Sequence, residues 1–386
     1  MTAISRPASD DQQAVRRWLR TRRYLFLTAP AIPLLLPLAA WLAHASGNGN
    51  WFWLPVAFLF LLVPLLDTLL GEDPANPEGA DVAQLAADRW YRRVLFGAVL
   101  AHWFGVMVTA AAIAGGPWGW PALLGAVLSA GAINGLALLV GHELGHKSRD
   151  RLQCAMARIV LAVTGYGHFS AEHNEGHHRD VSTPEDSASA RYGESIYAFA
   201  RREIPGALRR GWALEAARLS ALGQPALAPG NRILQSWALT AFCFTGAALL
   251  WGWTALAFLL LAAAYGWWQL TSANYVEHYG LLRAKDANGR YEACRPEHSW
   301  NSNRLLSNLL LLNLQRHSDH HAYPQRPYQL LRDYRDVPQL PHGYALMFLV
   351  AAVPPLWFAI MNPRVMAWVG GDLARVNRGP LGLSAA

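Results

Sequence analysis

Charge is scarce in this chain. Only 15% of its 386 residues are Asp, Glu, Lys or Arg, against 53% hydrophobic residues and 17 tryptophans. Length alone suggests two or three soluble domains, but so little charge leaves too little polar matter for their water-facing surfaces. Cysteine is scarcer still. Cys154, Cys243 and Cys294 form no Cys-x-x-Cys, and they suggest neither a disulfide framework nor a thiolate metal site. No flavin or nicotinamide glycine-rich fingerprint occurs, so the chain brings no electron carrier of its own. The net charge of +7 comes without an aromatic-and-basic motif, which argues against nucleic acid as a partner. No internal repeat is visible. A cleavable signal peptide is also missing, because the basic lead is long and the apolar run after it exceeds a signal's short core.

What the sequence has instead is long apolar runs, uncharged except for Asp67. Residues 24–44, 51–70, 94–120, 121–140, 233–250 and 251–275 each approach or exceed the ~18–20 apolar residues that cross a bilayer core. A large soluble helical core would alternate apolar and charged faces, and these runs do not. The expected fold is all-α, an integral membrane protein with about six transmembrane helices. Arg16, Arg17, Arg20, Arg22 and Arg23 precede the first run, Arg89, Arg92 and Arg93 follow the second, and Lys147, Arg149 and Arg151 follow the fourth. The turns at 46–50, 115–119 and 250–253 hold no Lys or Arg. The positive-inside rule then puts both termini and the two large polar regions on the cytoplasmic side of an inner (plasma) membrane.

The expected organisation is a cytoplasmic N-terminal tail over 1–22, with 1–15 disordered. A single membrane-embedded catalytic domain with a cytoplasmic cap covers 23–370, and a tail or linker covers 371–386. Residues 197–219, rich in Arg and Ala, read as an amphipathic helix along the headgroups or as a plain solvated helix. Residues 343–361 contain Pro354-Pro355. Crossing there would put Arg364, Arg375 and Arg378 outside, so a re-entrant or interfacial pair hinged at the prolines is expected.

The 14 histidines are unevenly placed. Nine fall in four tight groups: His142 and His146; His173, His177 and His178; His278; and His317, His320 and His321. All four lie at or just beyond cytoplasmic helix ends, so they can share one level. "GHELGHK" (141–147) taken alone is the zinc-peptidase signature. Residues i and i+4 share a helix face, so His142/His146 and His173/His177 can each grip one ion. The neighbours His177/His178 and His320/His321 point about 100° apart, which suits two ions. Burying so many imidazoles without a metal would leave many polar atoms unsatisfied. Softness alone allows Zn, Cu, Fe or Ni. Two histidine-rich ions beside an apolar interior point to redox work, and oxygen activation needs a metal that changes valence, which favours iron. Glu143, Glu172, Glu175, Glu277 and Asp319 are placed to accept hydrogen bonds from the distal imidazole N–H groups, and direct ligation by one of them stays open. His168 lies near enough to join that supporting role. His44, His102, His298 and His342 read as ordinary satisfied side chains.

The stretches "HELGHK" (142–147), "EHNEGHH" (172–178), "NYVEHYGL" (274–281) and "LQRHSDHHAYP" (314–324) resemble the histidine boxes of the membrane-bound alkane 1-monooxygenases. "PLLDTLLGEDPANP" (64–77) is similar to that family's second-span exit, and the resemblance runs from about residue 20 to 360. It implies a six-span helical fold with a histidine-only site for two iron ions at the cytoplasmic face. The implied iron ligands are His142, His146, His173, His177, His178, His278, His317, His320 and His321. The implied reaction is hydroxylation of the terminal methyl of a medium-chain alkane to a 1-alkanol by O2. Its electrons come from a rubredoxin with a rubredoxin reductase upstream.

An unpolarised C–H bond offers no handle but shape, so a narrow apolar channel ending at the ions is expected. Trp51, Trp53, Phe58 and Leu61 are its candidate lining, with core packing as the plainer role for each. An acidic carrier would suit docking on Arg201, Arg202, Arg209, Arg210, Arg283, Arg290 or Arg326, which serve anionic lipid equally well. A related fatty-acyl desaturase or hydroxylase and a xylene-type hydroxylase are the nearest alternatives. An intramembrane zinc metallopeptidase leaves seven of the nine histidines without purpose. A metal transporter wants ionisable groups in mid-span, which most of these runs lack.

Overall fold

The computed structural model describes residues 10–73 and 75–379. Its regular elements are helices throughout, and among the described residues the only β pairing is four isolated bridges. Five helical stretches are long and apolar enough to cross a membrane: Gln13–Ser46, Gly49–Leu70, Trp90–Ala114, Trp120–Gly145 and Arg232–His278. The first four are spans one to four.

The last stretch is 47 residues long, and as one straight rod it would reach about 70 Å, over twice the bilayer core. It breaks instead at Gly252, where φ is +80°, a conformation only glycine adopts without strain. Both of its ends lie at the same level. Arg232 reaches Glu175 at 3.1 Å, while the His278 ring stands 4.9 Å from that of His177, and Glu175 and His177 belong to one short turn. The run therefore doubles back at Gly252 and supplies spans five and six. Phe242, Leu249, Leu250 and Trp253, around that bend, are each at least 75% exposed, a surface suited to lipid and not to water.

Spans four and six pack closely because small residues let them. A Cβ on Gly131 would stand 2.5 Å from the Tyr265 ring, and one on Gly135 would stand 2.6 Å from the Gln269 Cβ. Facing them from span six, Gly266 accepts Asn134 in the same way. In lipid, where apolar surface gives helices little reason to associate, this close fit is what holds them together.

Polar anchors tie the polar cap to the spans. Asp73 is buried between Arg22, at 2.6 Å, and Arg316, at 3.1 Å. Burial would raise the Asp73 carboxyl, but the two guanidiniums outweigh it and hold its pKa below the usual range. This anchor changes the expected N-terminal boundary. A helix runs over Asp10–Leu25, with Leu19 and Arg22 buried and the Trp18 indole donating to Asp73 at 2.8 Å. Residues 10–22 are thus docked, because the arginines read as a topology signal include one with a buried partner. Residues 1–9 of the expected tail lie outside the described residues. The C-terminal boundary shifts likewise. Val376 and Asn377 are buried, and the Asn377 backbone bonds Gly280 and Tyr192. Residues 380–386 lie outside the described residues.

The arginine-rich helix Ile196–Ala221 buries Phe199, Glu203, Ala207, Gly211, Glu215 and Leu219. That four-residue spacing marks one face turned to the protein. The apolar pair Tyr344–Ala351 and Pro354–Trp368 bends by 118° at the residues before Pro354, as the tandem prolines lead one to expect.

Candidate metal centre

The end of span four presents His142 and His146 from successive turns, and span six ends on His278. A short helix, His317–Ala322, brings the last three histidines. It is fixed by the preceding residue, Arg316, whose buried guanidinium also donates to the carbonyls of Ala75 and Leu331. All nine histidines of the four groups meet here, and eight are at most 5% exposed.

They sort into one group of five and two smaller groups that share His278 and form a second set around it. Ligand-capable atoms of His142, His146, His173, His178 and His320 lie within 4.8 Å of one another. So do those of His177, His278 and His321, and of Glu277, His278 and His317. Sequence neighbours part company as expected: His177 and His178 join different sets, as do His320 and His321. One expectation fails. His173 does not share an ion site with His177, because residues His173–His177 form a π-helical turn. A wider turn puts i and i+5 on one face, so His173 pairs with His178, with Nε2 atoms 3.0 Å apart.

The nitrogen spacing tests whether a metal fits. His142 Nε2 stands 3.2 Å from that of His146 and 2.9 Å from that of His320, which stands 3.2 Å from that of His178. With His173, five nitrogens make four such contacts. A neutral imidazole nitrogen either donates one proton or accepts one, so hydrogen bonding satisfies at most two. Nitrogens around one ion at ~2.0–2.1 Å stand about 2.9–3.4 Å apart, which matches all four. Burial first, then mutual repulsion, holds His146, His173, His178 and His320 well below the ordinary histidine pKa. They are therefore neutral, as ligation requires. In the second set, His317 and His321 are depressed by the same causes, and His278 and His317 Nε2 atoms stand 3.3 Å apart.

Of the five acids expected beside the imidazoles, the structure brings one to them. Glu277 Oε2 lies 3.2 Å from His317 Nε2, a position at the edge of the second set. Glu172 is held by Arg210, Glu143 by Lys147 and the Tyr328 amide, and Asp319 by Arg326, Tyr334 and the Arg332 amide. Glu175 is half exposed and pairs with Arg232. Apart from Lys147, four residues after Glu143, these partners lie outside the histidine motifs, where motif spacing does not reveal them. His168 also stands apart, its ring 4.0 Å from that of Tyr166, with burial pushing its pKa down to about 4.

The acid that does hold a histidine from behind was not singled out in the sequence. Asp186 Oδ2 accepts from His177 Nδ1 at 2.9 Å. Burial lowers the His177 pKa, but this carboxylate outweighs it and the net shift is upward. Arg210 and Ser189 hold Asp186 in turn. Asp186 lies eight residues past the histidine box, in a loop, and only its proximity to "HH" hinted at it.

A chamber of about 90 Å³ opens beside His142, His173, Glu277 and His317. Its walls are Leu136, Leu139, Phe169, Leu270, Leu311 and Phe348, between spans four and six and the helices after them. The channel candidates Trp51, Trp53, Phe58 and Leu61 do not line it. Trp51 and Leu61 are exposed on the outer surface, while the Trp53 indole donates to Pro121 and covers Gly125. Span two packs at the far side of span four, and the glycine-lined groove that admits a chamber faces span six.

Comparison with known proteins gives the family. Residues 118–351 match the fatty acid desaturase family. The chain is 46% identical to alkane 1-monooxygenase 1 of Alcanivorax borkumensis, over 98% of this chain and 93% of that one. It is 47% identical to the alkane 1-monooxygenase of Pseudomonas putida, over 92% and 88%. The xylene/toluene monooxygenase hydroxylase component XylM of Pseudomonas putida is 27% identical over 63% of this chain and 65% of its own. The chain therefore belongs to the fatty acid desaturase family of membrane enzymes and, within it, to the alkane 1-monooxygenases.

Proposed function

We propose that this chain is a membrane di-iron monooxygenase that hydroxylates the terminal methyl of medium-chain n-alkanes to 1-alkanols with O2 and electrons from rubredoxin. One observation carries the reading: two adjoining sets of buried imidazoles open onto an apolar chamber. His142, His146, His173, His178 and His320 would hold one iron, and His177, His278, His317 and His321 the other, with Glu277 at its edge. When bound, the iron pair supplies the change of valence that O2 activation needs.

The chain's own residues do the rest. Asp186 fixes the His177 tautomer by accepting its Nδ1 proton, which leaves Nε2 free to ligate. Leu136, Leu139, Leu270 and Phe348 exclude water and offer an alkane nothing but shape. Each buried methylene contributes only ~0.8 kcal/mol, so selecting a chain end depends on where the chamber stops, not on affinity for one carbon. The names of the relatives specify alkanes, and the lining is consistent with such a substrate.

Electrons come from outside, from a rubredoxin served by a reductase, on the cytoplasmic face of the inner membrane where both termini lie. Arg202, Arg210, Arg283 and Arg326 are engaged within the fold. Arg201, Arg209 and Arg290 remain on the surface for docking. The test is purified protein with octane, O2 and reduced rubredoxin. Formation of 1-octanol supports the reading, and absence of alkanol with an intact metal complement overturns it. If docking is electrostatic, turnover falls steeply with salt.

A further inference from the structure

The chamber has a floor, and its position is built into the contact between spans four and six. From His142 the lining descends span four through Leu139, Leu136 and Gly135 to Ala132, ten residues or about 15 Å along the axis. From Glu277 it descends span six through Asn274 and Leu270 to Gln269, eight residues or about 12 Å. There it stops. The Gln269 stem crosses directly over Gly135, whose missing Cβ is the space it occupies. One turn further on, the Tyr265 ring fills the same kind of gap at Gly131. Gln269 is 7% exposed.

We propose that Gln269, packed on Gly135, closes the chamber and sets the longest alkyl chain accepted when its reacting carbon lies at the histidines. An alkane makes no use of an amide, so a polar side chain at the base of an apolar chamber needs another reason. Its Cβ and Cγ pack on Gly135, one turn from the Tyr265 ring on Gly131. The pair is therefore a plug seated on two glycines, and specificity residues belong on spans four and six. This inference rests on the alkane hydroxylase reading.

The test is product analysis of n-alkane mixtures from pentane to hexadecane, with O2 and reduced rubredoxin, for the parent chain and three variants. Gln269→Ala deepens the chamber, and kcat/KM rises about fourfold for each further methylene it admits, which shifts the preferred length upward. Ala132→Leu raises the floor and shifts it downward. Gln269→Leu keeps the bulk, and the preferred length stays within one carbon of the parent's. Should Gln269→Ala not accumulate in membranes, Ala132→Leu carries the test in the opposite direction. An unchanged length profile in Gln269→Ala and Ala132→Leu, with the parent active, overturns the floor while leaving the hydroxylase reading intact. A parent that makes no alkanol overturns both.

Discussion

His173 and His178, five residues apart, point their Nε2 atoms at each other across 3.0 Å, while His177, one residue nearer to His173, turns to the other set and to Asp186. A single π-helical turn makes this division. Deleting Asn174 would restore ordinary helical phase and leave His173 and His178 four residues apart. The expected outcome is loss of most bound metal and of all hydroxylation, with the protein still inserted in membranes. Metal analysis of the membrane-extracted variant checks this, and retention of the parent's metal content contradicts it.

Asp186 reaches the imidazole cluster through His177. Replacing it by Asn keeps the shape but removes the anionic acceptor and one partner of Arg210. Metal affinity or activity is expected to fall about 10–100-fold, whereas Glu175→Gln, at a surface ion pair, changes either by less than about twofold. Chelator-competition titration of both variants measures the difference.

Glu203 supplies a pH dependence of known sign. It is buried on the helix Ile196–Ala221, accepting from Thr271 at 2.8 Å and Asn274 at 3.2 Å. Burial raises its pKa, Thr271 and Asn274 oppose this, and Glu172 and Asp186 add to it, giving about 7. The folded chain thus holds this proton more tightly than the unfolded chain, whose glutamate titrates near 4.5. Its contribution to stability is full below about 4.5 and is lost as pH rises through about 7. Glu203→Gln, which cannot ionise, is expected to melt higher than the parent at pH 8 but not at pH 5. Parallel melting curves in detergent across that range contradict the assignment.

Gly135 has a steric role that a methyl group tests. The added Cβ of Gly135→Ala would stand 2.6 Å from the Gln269 Cβ, and neither backbone can yield without separating spans four and six. A destabilisation of about 1–3 kcal/mol is expected, read as a lower melting temperature in detergent. Gly246→Ala, with open space at its Cβ, is expected to leave melting unchanged or slightly raised.

The spans and the histidine level were legible because both follow from local pattern. Apolar runs of bilayer length need no tertiary information, and the charge-free stretch 250–253 marked the Gly252 bend as a turn between spans. His142/His146 was legible because ordinary helix phase holds there. His173/His178 was not, since one inserted turn changes the phase without changing composition. Asp186 escaped because a loop residue's partner is set by how the loop folds. The chamber escaped for a related reason: Trp51 and Phe58 have the bulk for a lining, but only packing decides that span six, not span two, faces the Gly131–Gly135 groove. Arg22 shows the reverse error, a charge read for topology that is also buried against Asp73.

The central claim is that these nine imidazoles bind two iron ions, and metal content per chain tests it most directly. Elemental analysis of protein purified from iron-replete cells without affinity-tag histidines is expected to give close to two iron atoms per chain. The His177→Ala and His178→Ala variants are each expected to fall toward one. A single zinc per chain, unchanged in both variants, would contradict the account.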